Sequence, residues 1–141
     1  KMEGSEKLPP GRAFSLHDLS TRKIWLESNH LHVQFDYMID YSQEGEKYYE
    51  ASICFENVEL DYCQIYILDS QENRAFTGAY YPLEHFLKEY PQFIITIIHE
   101  YYSDKKCLWQ GELSMGNKIF PCQLQIMYEG CMNCRVGKEK E

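Results

Sequence analysis

Leu31-His32-Val33-Gln34-Phe35-Asp36-Tyr37-Met38-Ile39-Asp40 is the stretch that decides the fold. Leu31, Val33, Phe35, Tyr37 and Ile39 alternate with His32, Gln34, Asp36, Met38 and Asp40. Successive side chains of a strand point to opposite faces, so this alternation describes a strand with one face buried and one wet. The same period returns downstream. After the polar Ser42-Gln43-Glu44-Gly45-Glu46, read as a hairpin connection, Tyr49, Ala51, Ile53 and Phe55 form an inward set opposed by Glu50 and Ser52. Cys63, Ile65 and Ile67 define another strand, followed by a polar loop from Gln71 to Gly78. Phe120, Cys122, Leu124, Ile126 and Tyr128 define a late one, in which Pro121 marks an edge or bulge.

Two segments depart from simple alternation. Phe93–Tyr102 is apolar on both faces and reads as a central strand covered on two sides, with Ile95 and Ile97 as core anchors. Tyr81–Tyr90 changes period: Pro82 suits a first helical position, and Leu83, Phe86, Leu87 and Tyr90 follow at i, i+3, i+4 and i+7. Pro91 ends that short helix. Ser15-Leu16-His17-Asp18 has the Ser-x-x-acid form of a helix start and predicts a helical turn before Ile24. Turns at Ser103-Asp104-Lys105-Lys106 and Gly116-Asn117 separate the last strands. With no βαβ rhythm, the expectation is an all-β, mainly antiparallel chain: a single β-sandwich of about seven strands with one short helix around Tyr81–Tyr90. Residues 1–13 read as a flexible arm, 14–129 as the sandwich domain and 130–141 as a small charged C-terminal tail.

Bulk properties narrow the function. A chain of 141 residues is one domain in size and can bury a core without metal or disulfide help. The net charge of −8, with no cluster of Lys and Arg, disfavours nucleic acid, which is bound by releasing counterions from phosphates. An anionic membrane surface is disfavoured on the same ground, and no apolar run approaches the ~20 residues of a membrane span. No leader is visible where Lys1 precedes Met2, as expected of a chain that starts within a longer protein. Cys54, Cys63, Cys107 and Cys122 lie in or beside strand patterns, where free cysteine acts as a small apolar residue, and no Asn-x-Ser/Thr acceptor occurs. These features predict a reducing, intracellular and cytoplasmic setting.

Catalytic vocabulary is sparse. Cys131-Met132-Asn133-Cys134 has the spacing of a two-thiolate bite on zinc, but a structural zinc takes four ligands and no second pair of that kind exists. Cys131 and Cys134 are expected to hold no metal, with a disulfide or redox pair and then zinc as the alternatives, and to be dispensable for folding, since they lie beyond Tyr128, where the periodic pattern ends. His30 and His32 share one side of a strand without forming a triad, and His99 reads as a hydrogen-bonded core residue. Ser52, Ser70 and Ser114 lack a nucleophile-elbow context. Asp36, Glu50 and Glu56 project outward and read as solvated carboxylates. The strand-end acids Asp40, Asp61, Asp69 and Asp104 form no calcium motif. No cofactor and no enzymatic activity are expected.

Two resemblances attach to particular stretches. Phe93-Ile94-Ile95-Thr96-Ile97-Ile98, the Ser103–Lys106 turn and Trp109-Gln110-Gly111-Glu112-Leu113 resemble the closing strands of C2 domains. The family's calcium-binding acidic pairs are replaced by His99-Glu100-Tyr101-Tyr102, so this resemblance implies calcium-independent protein binding. Trp25-Leu26-Glu27, Phe55-Glu56-Asn57-Val58-Glu59-Leu60-Asp61 and Trp109 with Gly116-Asn117 resemble the starch- and glycogen-binding modules of glycogen-targeting phosphatase subunits, which implies sugar binding. The expected function is a non-enzymatic binding or targeting module for a protein partner. A glycan-binding module of the glycogen-targeting type is the alternative, and a metal-dependent or lipid-binding sandwich a further one. Tyr48, Tyr101, Tyr102 and Trp109 are the candidate contact residues; Trp109 is either a contact ring or packed inside.

Overall fold

In the computed structural model, residues 4–8, 14–40, 47–69 and 77–140 are described. Alternating apolar positions across these residues close two antiparallel sheets over one core, an all-β sandwich with a single α-helix. The first sheet runs in the order β1 (Gly4–Leu8), β11 (Met132–Glu139), β5 (Lys47–Phe55), β4 (His30–Asp40) and β2 (Phe14–Ser15), with β3 (Thr21–Glu27) also paired to β4. The second runs β7 (Thr77–Pro82), β6 (Gln64–Asp69), β10 (Lys118–Met127), β9 (Lys106–Met115) and β8 (Ile94–Ser103). Helix α1, Leu83–Glu89, turns Leu83 and Phe86 into the core, and Phe86 meets the rings of Tyr81, Tyr90 and Phe93.

Three two-residue turns set the register. Ser28-Asn29 joins β3 to β4 with φ of 49° and 62°, Asp104-Lys105 joins β8 to β9 with Lys105 at φ 58°, and Gly116-Asn117 joins β9 to β10 with Gly116 at φ 61°. Left-handed turn residues match the twist of the flanking strands, which is why such short loops close hairpins. Pro121 sits in β10 opposite Glu112 of β9, while β6 pairs with β10 only from Cys122 onward. Its missing N–H therefore falls where no neighbouring strand requires one. The hairpin connection read at Ser42–Glu46 and most of the Gln71–Gly78 loop lie outside the described residues.

Several readings are corrected by the structure, beginning with the 1–13 arm, whose Gly4–Leu8 stretch pairs along β11 as strand β1. The 130–141 segment is no tail: β11 lies between β1 and β5, with Met132, Cys134 and Val136 buried. Phe93–Tyr102 is not central, because among the described strands β8 pairs only with β9 and borders the second sheet. Its outer side is closed by the 18–21 segment instead, through Asp18 N–H to Ile97 O at 2.6 Å, Ile97 N–H to Leu19 O at 2.9 Å and Ile95 N–H to Thr21 Oγ1 at 3.0 Å. The Ser15–Asp18 stretch forms a single β-turn rather than a helical one: Leu19 N–H donates to Leu16 O at 3.0 Å with Asp18 at φ 65°, Leu16 and Leu19 are buried, and Ser15 Oγ accepts from His17 N–H. His99 is exposed, because a register shift between Ile97 and His99 inserts one residue and reverses the alternation.

No disulfide joins any of the six cysteines. Burial pushes the Cys63 thiol above its ordinary value and that of Cys122 up to about 12, so both remain neutral and apolar in character. Cys134 is fully enclosed, its Sγ 3.7 Å from Met38 Sδ. Cys131 is half-exposed, its backbone N–H donating to Glu56 Oε1 at 3.0 Å and its C=O accepting from the Glu56 N–H at 2.9 Å. The two tail thiols therefore separate. Cys131→Ser is expected to change stability by no more than about 0.5 kcal/mol. Cys134→Ser places a hydroxyl in an apolar site and is expected to cost about 1–3 kcal/mol. Urea denaturation of the two single variants measures the difference; equal midpoints would contradict the burial of Cys134.

Candidate functional site

The outer face of the second sheet is built by cross-strand register. Tyr80 of β7, Tyr66 of β6, Gln123 of β10, Gln110 of β9 and His99 of β8 stand directly opposite one another in a row crossing all five strands. Gln64, Gln125, Leu108 and Tyr101 form the next row, and Ile119, Ser114 and Ile94 a row near the Gly116-Asn117 turn. Their inward neighbours Ile65, Leu124, Trp109 and Ile97 are buried, which fixes these rows as outward-facing. Tyr66 is 40% exposed, Tyr80 47%, Tyr101 52% and Ile119 63%. Single exposed apolar residues are ordinary, whereas apolar residues gathered on one face mark contact surfaces.

Charge is scarce across these rows. Between the Ile119 row and the Tyr101 row, Glu112 is the sole Asp, Glu, Lys or Arg facing outward among the described residues. The outer face of the first sheet differs, carrying Lys23, Arg135 and Glu27 together with His30 and His32. In a chain of net charge −8, a face of tyrosine, glutamine and isoleucine with a single acid is a local departure from composition. Tyr66 and Tyr80 meet with ring centroids 5.3 Å apart and planes inclined at 58°, and Tyr101 lies beside His99 at 6.4 Å.

The four candidate contact residues do not assemble. Tyr101 lies on this face. Tyr48 is exposed on β5 of the other sheet, edge-on to Tyr37. Trp109 is 1% exposed and points inward, between Phe35 and Phe55 of the first sheet. Tyr102 is half-buried, accepting from Trp109 Nε1 at 3.2 Å and donating to Glu100 Oε1 at 2.7 Å. Burial, with the nearby Cys107 and Glu100, holds the Tyr102 phenol far above its ordinary value, so it stays a neutral donor. Glu100 accepts in turn from Leu16 N–H at 2.8 Å. This chain of bonds ties β9, β8 and the 15–16 segment together; it is structural.

His30 and His32 are likewise committed. His30 Nδ1 accepts from the Asn57 N–H at 3.0 Å, and His32 stacks on Trp25 with centroids 5.0 Å apart. Among the described residues no group of three or more His, Cys, Asp or Glu is placed to hold a metal ion. No helix among them is long and apolar enough to cross a membrane. Tyr66, Tyr80 and Ile119 were missed in the sequence. Tyr66 alternates with Ile65 and Ile67 and was readable as outward, but nothing in the chain states which strands would lie beside it. No protein-family model, curated protein or solved structure matches this chain.

Proposed function

We propose that this domain is a non-enzymatic binding module that engages a protein partner across the outer face of β7, β6, β10, β9 and β8. The supporting observation is the charge-poor, tyrosine-bearing register of that face, with Glu112 as its one acid among the described residues, in an otherwise acidic chain. Depletion of charge with enrichment in aromatic residues is the compositional signal of an interface centre. A glycan is the second reading, favoured by the amides of Gln64 and Gln123 beside the Tyr66 and Tyr80 rings. The 58° inclination of those rings argues for protein, since they offer no single flat surface on which a sugar ring could stack.

The test is affinity capture with quantitative mass spectrometry, run beside a glycan array on the same preparation. Wild type is compared with the double variant Tyr66→Lys, Ile119→Lys and with Gln34→Lys, which adds charge to the other sheet. All are expected to unfold within about 0.5 kcal/mol of wild type, because these positions are exposed. The double variant is expected to lose captured partner by about tenfold or more, with Gln34→Lys unchanged. Equal capture by all three would overturn the proposal, and glycan binding lost in the double variant would select the second reading.

A further inference from the structure

We infer that β7 accepts an extended segment of a partner protein as a sixth strand of the second sheet, with one large apolar side chain of that segment seated in a cleft beside it. The inference deepens the protein-binding reading and rests on it. Among the described residues β7 pairs on one side only, with β6. The Leu83 N–H donates to Cys63 O at 2.9 Å, which fixes the phase of that ladder. By antiparallel alternation Tyr81 and Ala79 exchange bonds with β6, whereas Gly78 and Tyr80 direct their N–H and C=O groups away from it. An unpaired row of this kind is a template for another strand.

Among the described residues, other borders of the sheets carry protection that β7 lacks. β8 is closed by the bonds from the 18–21 segment. β1 contains Glu6 and Lys7, and β3 contains Arg22, Lys23 and Glu27. Thr77-Gly78-Ala79-Tyr80-Tyr81-Pro82 holds no charged residue. Charges along an edge strand are a common device against pairing, and Pro82 removes a donor only at the far end.

A cleft of about 380 Å³ follows the inner flank of β7, lined by Ile67, Ala79, Tyr81, Tyr90, Met115 and Phe120. No ionised side chain lines it. Strand side chains alternate, so a strand added to β7 sets every second side chain over this cleft and the others beside Tyr80. Main-chain bonds to Gly78 and Tyr80 hold the segment, and the cleft selects its apolar residue. A second copy of this chain is a poorer occupant, because each copy carries a net charge of −8 and the two would repel. The charge favours a neutral or basic segment.

Random heptapeptides displayed on phage and selected on the full chain test this directly. The selected peptides are expected to share a large apolar residue at one position with no acidic neighbours. Synthetic copies are expected to slow amide exchange at Gly78 and Tyr80 by about tenfold or more. Ala79→Glu, a change at an exposed position at the mouth of the cleft, is expected to weaken the peptides at least tenfold without altering the unfolding midpoint. Backbone N-methylation of the peptide is expected to do the same. Failure to select any peptide, or peptides indifferent to Ala79→Glu that leave Gly78 and Tyr80 unprotected, would overturn the inference. So would a concentration-dependent dimer of the free chain showing that same protection. The peptide readout uses the edge alone, so its failure leaves the outer-face result standing, and a failed outer-face result leaves this one readable.

Discussion

Trp109→Ala is expected to abolish cooperative folding or leave a domain that unfolds in very mild denaturant. Trp109 is the largest fully buried side chain, and its indole joins the two sheets by meeting Phe35 of β4 at 6.0 Å and Phe55 of β5 at 5.7 Å. Truncating such a ring removes its transfer free energy and leaves a cavity, together roughly 3–5 kcal/mol. That is a large share of the roughly 5–15 kcal/mol by which domains are stable. The lost Nε1–H also withdraws the donor from the half-buried Tyr102 hydroxyl. Trp109→Phe separates the two contributions: it keeps an aromatic ring between the sheets and loses only the polar contact and part of the volume. It is expected to fall between wild type and Ala in a urea titration followed by circular dichroism. A Trp109→Ala midpoint equal to that of wild type would place the ring outside the core.

Gly111→Ala is the second large effect. A Cβ at this position would lie 1.9 Å from Thr96 O, 3.0 Å from Thr96 C and 3.1 Å from Ile98 N. All three atoms are backbone, so no side-chain rotation relieves the clash. The close approach follows from the register shift between Ile97 and His99, where β8 carries one residue more than β9 can match. Accommodating a methyl group requires β8 to move off β9, and with it the bridge from Ser20 to Thr96. The expected cost is about 3 kcal/mol or more, the upper end for overpacking. Gly116→Ala is the comparison, since open space surrounds that position and only its φ of 61° opposes a side chain. It is expected to cost about 1–2 kcal/mol. A Gly111→Ala midpoint at or above that of Gly116→Ala would contradict the bulge geometry.

The fold class was legible because burial on one face leaves a period of two in the sequence, and Leu31, Val33 and Phe35 are buried as that period requires. The period misleads after Phe35. A register shift between Phe35 and Met38 buries Met38 and leaves Tyr37 and Ile39 only half-buried, the reverse of simple alternation. Bulges insert a residue without any compositional mark, so a count that assumes none drifts out of phase, as it did at His99. β11 carried a readable signal in Met132, Cys134 and Val136 against Asn133 and Arg135. The Cys-x-x-Cys spacing and the flanking glycines and charges drew the reading toward a tail instead. The candidate face was less legible still. Tyr66, Tyr80 and Tyr101 are far apart in sequence and become neighbours only through the order β7-β6-β10-β9-β8, which local pattern does not encode.

Oxidative footprinting of tyrosine and histidine side chains, with and without the captured partner, tests the binding face most directly. Protection on partner binding is expected at Tyr66, Tyr80, His99 and Tyr101, with Tyr48 on the first sheet and His17 in the 15–20 segment reacting as in the free protein. Protection confined to Tyr48, Trp25 and His32, with Tyr66 and Tyr101 still fully reactive, would place the contact on the opposite sheet and contradict the account.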